Sequence, residues 1–162
     1  MKLIRTDKDQ FEFEIGPGEK VRMFQILKLY PLVPASHPKL SKGRKIPNHE
    51  ENQRLLDEAL RGQREENRKQ AESLLNEPRR IVKFESGYRV TFTRVEIEWL
   101  LQVFNDVRIG SWIALGSPDP HPEIQEGMSH QIISQIVTME LAAFFEMCFL
   151  HAVSGEKQPG YE

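Results

Sequence analysis

Cysteine is nearly missing from this 162-residue chain: Cys148 stands alone, so no internal disulfide can form, as suits a reducing compartment. Long hydrophobic runs are missing as well. The most apolar stretch, residues 144–153, already contains Glu146 and His151 and falls short of the ~18–20 apolar residues of a membrane span. The first seven residues, MKLIRTD, lack the apolar centre of a secretory signal. A cytoplasmic protein without a membrane segment is the expectation. Catalytic signatures are absent too: there is no GxSxG, GxGxxG, P-loop or CxxC. Gly16-Pro17-Gly18 is no phosphate loop, because the Lys-Ser/Thr pair does not follow it.

Positive charge is scarce in the C-terminal half. Residues 95–153 hold one cation, Arg108, against eight acids, whereas residues 1–94 hold 20 Lys and Arg against 14 Asp and Glu. A net of +6 facing a net of −7 predicts two parts of one domain that attract each other. At 162 residues the whole chain, 1–162, suits a single domain.

The patterning predicts an α+β fold, mostly helical. Phe11, Phe13 and Ile15 alternate with Glu12 and Glu14, the mark of a half-buried strand, and residues 1–5 supply its hairpin partner. A helix is expected over residues 19–30, with Val21, Phe24, Leu27 and the Ile26/Tyr30 pair inward. Residues 31–49 combine four prolines, four cations and no acid, which predicts a flexible basic loop, mobile over 33–47. Asn48 then caps an exposed charged helix within 48–77, laced with i,i+4 pairs such as Glu65–Lys69. Its 4,3 seam of Leu56, Leu60, Gln63, Asn67, Gln70 and Leu74 is polar in the middle, so packed ends and an exposed centre are expected. A second hairpin, 81–85 with 88–92, precedes Thr93-Arg94-Val95-Glu96, a capping box that starts a helix running to about 115. The last helix spans about 129–153 and stops at Gly155. The two apolar C-terminal helices should pack with the amphipathic first helix and the hairpins.

Arg108 falls by helical stepping between Ile97, Leu101, Phe104 and Trp112, and Glu140 is flanked by Ile133, Ile136, Val137, Phe144 and Met147. Each is a charge on an apolar face, and a buried charge needs a partner. A buried Arg108–Glu140 ion pair between antiparallel helices is therefore expected, with an anion-binding arginine as the alternative. Glu98, Gln102, Asn105 and Asp106 form a polar stripe on the same helix, a candidate contact surface. His121, Glu123 and His130 could contribute metal ligands, although their spacing matches no helical ligand pair and no cofactor is expected. Cys148 lies among aromatic and aliphatic residues, where a thiol is inert. The cations at 39–45 could touch nucleic acid, but without interleaved aromatics the contact would be weak and non-specific.

The stretch Glu98-Trp99-Leu100-Leu101-Gln102-Val103-Phe104-Asn105-Asp106-Val107-Arg108, running on to Ala114-Leu115-Gly116, resembles the Trp-Leu…Leu-Asn-Asp-Leu-Arg…Leu-Gly helix of an uncharacterised bacterial family. The order of elements matches over most of the chain; the basic Pro-rich insertion and the 118–122 loop depart from it. Members of that family have no assigned activity, and in some bacteria they are encoded beside ClpS, the adaptor that delivers substrates to the Clp protease. The resemblance implies a regulatory, protein-binding role linked to proteolytic quality control, with Clp-system components as partners. The exposed rod and the opposite charges of the halves are compatible with a homodimer. The alternatives are a metal-dependent enzyme or metal-binding protein using the 121–130 loop and, third, weak nucleic-acid binding.

Overall fold

The computed structural model describes residues 1–34, 49–77 and 80–155. Within them the chain runs β1 (Lys2–Asp7), β2 (Gln10–Ile15), α1 (Pro17–Leu29), α2 (His49–Leu75), β3 (Ile81–Phe84), β4 (Gly87–Thr93), α3 (Arg94–Ala114) and α4 (His130–Ser154). This is the mostly helical α+β fold that the patterning predicts. The two hairpins merge: β2 pairs antiparallel with β4, giving one sheet of order β1-β2-β4-β3. A bulge at Ile4 interrupts β1, where the register shifts between Leu3 and Arg5. Gly87 is required at the junction, since a Cβ there would sit 2.6 Å from the carbonyl oxygen of Ile15.

The alternation of β2 separates the two faces of the sheet. Phe11, Phe13 and Ile15, with Val90 and Phe92 of β4, are all at most 1% exposed. Phe149 of α4 lies edge-on to Phe13 and Phe92, with centroids 5.4 and 5.3 Å apart, and stacks on Phe104 of α3 at 5.8 Å. Such aromatic contacts add about 0.5–1.5 kcal/mol each beyond their buried area. On the other face Lys2, Glu14 and Arg89 lie in one cross-strand row of alternating charge.

The helix ends follow local chemistry. Pro17 occupies the first turn of α1, so the helix starts two residues earlier than its apolar pattern suggests. Its buried residues are Met23, Ile26 and Leu27, while Val21 stays exposed. Thr93 and Glu96 form the expected capping box on α3, with Glu96 N–H donating to Thr93 Oγ1 at 3.2 Å and Thr93 N–H to Glu96 Oε2 at 2.7 Å. Ser129 caps α4, and Gly155 ends it in the left-handed region at φ 73°. α3 and α4 share the most extensive helix contact.

One expectation needs correction. The anchored part of α2 is its C-terminal half, where Asn67, Ala71 and Leu74 are buried, while Leu55, Leu56 and Leu60 in the N-terminal half are about half exposed. Asn67 is polar but finds hydrogen-bond partners, so it can be buried. Of the loop expected to be mobile over 33–47, only Val33 and Pro34 are described, and the Val33 N–H donates to Asp106; the rest lies outside the described residues. The basic positions 39–45, and with them the nucleic-acid reading, lie outside the described residues.

α4 is long and apolar enough, by length and mean hydropathy alone, to cross a membrane. Here one side of it carries Phe145, Phe149 and Ala142, each fully buried in the domain core.

Candidate functional site

The polar stripe of α3 is put to use mainly as a set of tethers. Asp106 Oδ1 accepts from the backbone N–H groups of Leu32 (2.7 Å) and Val33 (3.1 Å), and its Oδ2 lies 3.5 Å from Arg64 Nη2 of α2. One turn on, Gly110 lets the same segment cross α3 closely: a Cβ there would meet Leu32 at 2.7–2.8 Å, backbone included. Beside Asp106, Gln102 Oε1 accepts from Asn67 Nδ2 at 3.1 Å, and Asn67 Oδ1 accepts from Gln63 Nε2 at 2.9 Å. Tyr30 closes the group; burial pushes its phenol pKa up, Asp106 adds to the rise, and a hydrogen bond with Asn67 opposes it. Carboxylate, amides and guanidinium thus hold the end of α1 and the C-terminal half of α2 against α3. Glu98 remains exposed.

The predicted Arg108–Glu140 pair is not formed. Arg108 Nη2 donates to Asn105 Oδ1 at 2.8 Å, and Arg108 Nε lies 3.0 Å from Glu146 Oε2, an ion-pair contact without the alignment of a hydrogen bond. Its side chain is 42% exposed, so it is not a buried charge. The aromatic stack explains the register: Phe104 sits on Phe145 and Phe149, which puts Glu146 opposite Arg108, one turn after Phe104. Glu140 lies six residues away with its side chain 56% exposed, and its Oε1 is 2.9 Å from His121 Nε2. Of the apolar residues flanking Glu140 in sequence, Ile136 is buried and Phe144 packs on the core, while Val137 and Met147 are exposed.

The 121–130 loop does not gather its candidate ligands. Among the described residues no group of three or more His, Cys, Asp or Glu side chains is placed to hold a metal. His121 bonds Glu140, Glu123 and His130 are exposed, and Trp112 Nε1 secures the loop by donating to Pro118 O at 3.1 Å. Cys148 is buried, and desolvation raises its thiol pKa against the opposing N-terminal ammonium, so it stays a protonated core residue.

A feature not foreseen lies where the end of α2 meets the start of α3. Arg80 pairs with Glu96 and, at 3.0 Å, with Glu77. They line a shallow groove of about 230 Å³ with Gln70, Leu74 and Trp99. Burial alone would raise the Glu96 pKa, but the Thr93 N–H and the Arg80 guanidinium outweigh it and hold the carboxyl below its ordinary value. Both carboxylates contact the single Arg80. Glu96 stood out in the sequence only as a cap; its pairing with Arg80 depends on the sheet folding back and has no local signal. With Arg64–Asp106, it also gives the expected attraction between the two halves two physical contacts.

No family model, curated protein or solved structure matches the chain.

Proposed function

We propose that this chain is a cytoplasmic, non-enzymatic protein-binding domain that serves as a regulatory factor beside the ClpS adaptor in proteolytic quality control. The observation that carries the binding role is the N-terminal half of α2. Past Gln63 this helix is fixed to α3 by Asn67, Ala71 and Leu74; before it, Leu55, Leu56 and Leu60 stand about half exposed. Leu56 and Leu60 are one turn apart on a helix already formed, the presentation that helix-in-groove recognition uses. The polar groups of the α3 stripe support the same reading from the other side, because Gln102 and Asp106 are engaged in holding the fold and Asn105 is engaged by Arg108. The Clp link rests on the resemblance of residues 98–108 and 114–116.

The test is direct binding of the purified chain to purified ClpS and to the Clp ATPase, by biolayer interferometry. Saturable binding is expected, weakened about tenfold or more, ~1.4 kcal/mol, by the Leu56→Lys/Leu60→Lys variant. Both positions are solvent-facing, so the helical circular dichroism should not change. Absence of binding to either component rejects the Clp partner, and binding that ignores the double substitution rejects α2 as the surface.

A further inference from the structure

We propose that the chain forms a twofold-symmetric homodimer in which α4 packs antiparallel against α4 of a second copy. The inference is independent of the role assigned to α2. α4 buries one apolar face, with Ala142, Phe145, Phe149 and Ala152 in the core, and leaves a second only partly covered, with Phe144 packed on the edge of the core. The other carries Ile133, Val137, Glu140, Phe144, Met147 and His151, spaced 4, 3, 4, 3, 4, the seam of a coiled coil. Val137 is 39% exposed, Met147 45%, and Leu150 at the flank 49%.

The two polar residues on this seam decide the occupant and the direction. In an antiparallel pair with its twofold between positions 145 and 146, facing residues have numbers that sum to 291. Glu140 then faces His151 of the second copy, and Phe144 faces Met147. One register therefore matches a carboxylate to an imidazole at both ends and a thioether to an aromatic ring in the middle, a favourable pairing. A parallel pair would instead set Glu140 against Glu140. Glu140 already lies 2.9 Å from His121 of its own chain, so its carboxylate would stand between two imidazoles at the edge of the seam.

Light scattering across micromolar to hundred-micromolar protein tests the proposal. The mass should rise from 18.9 kDa towards twice that value. Met147→Asp, at a position nearly half exposed and so tolerated by the fold, should hold the chain at 18.9 kDa. Glu140→Lys and His151→Glu should each weaken association about tenfold, ~1.4 kcal/mol, and the double swap should restore it. Loss of the His121 contact cannot produce that rescue. A wild-type chain that remains at 18.9 kDa overturns the proposal. So does a dimer indifferent to Met147→Asp, or a double swap no better than the single changes. Sedimentation of a monomeric chain with phosphatidylcholine–phosphatidylglycerol vesicles, lost in Met147→Asp, would assign the face to lipid and overturn it equally.

Discussion

Asp106→Ala removes one carboxylate and with it the hold on two backbone N–H groups. A hydrogen bond to a charged group contributes about 1.5–3 kcal/mol, and Asp106 accepts two, from Leu32 and Val33. Leu32 and Val33 are half-buried, so water can reach part of what is lost. Arg64, a third exposed and 3.5 Å away, adds at most about 1 kcal/mol. The expected cost is therefore about 2–4 kcal/mol, a large part of the ~5–15 kcal/mol of a typical domain. Asp106→Asn keeps a neutral acceptor at the same place and should lose roughly half as much. Urea unfolding reads this directly, because Trp99 and Trp112 both lie on α3 with Asp106. The midpoint should fall while the slope stays constant. A loss in Asp106→Ala below about 0.5 kcal/mol, or an Asn variant as damaged as the Ala variant, would refute the tether.

Gly110→Ala should destabilise by about 1–3 kcal/mol, since its Cβ must displace the backbone of Leu32. Gly62→Ala, which meets nothing within 4 Å in exposed α2, should stabilise by about 0.5–1 kcal/mol in the same assay. Arg108→Ala should cost about 1–2 kcal/mol, because Arg108 is 42% exposed but Glu146 only 19%; a loss of more than about 3 would mark a fully buried pair. Glu96 has a lowered folded pKa, so its contribution is present above the ordinary value of 4.5 and lost as pH falls through the lower folded value. Stability should drop below about pH 4.5, and Glu96→Gln should flatten that limb; an unchanged acid profile would show that Glu96 does not carry it.

Features written in short-range chemistry could be read from the sequence. The period-two run at 11–15, the Thr93/Glu96 box and Gly155 specify their elements through neighbours within a few residues. Pairings between distant segments could not be read in the same way. Helical stepping shows which residues share a face, but not whether that face meets the core or solvent, and this misplaced Glu140. The register that gives Arg108 to Glu146 is decided by Phe104, Phe145 and Phe149 stacking. Gln102 and Asp106 stood out as polar residues on an apolar helix, yet their partners at Leu32, Val33 and Asn67 lie 35–74 residues away.

The bulge at Ile4 limits how the sheet can grow. An edge strand that is long and straight offers its free backbone groups to any neighbouring chain, the usual start of aggregation. β1 is broken at its third residue, and β3 at the opposite edge has only four residues and carries Lys83. Neither edge gives an incoming strand a continuous ladder, even though Val82 on β3 is 60% exposed. Ribbon-like extension is thereby discouraged at both ends of the sheet. Removing Ile4 from β1 would straighten that edge and open it to strand addition.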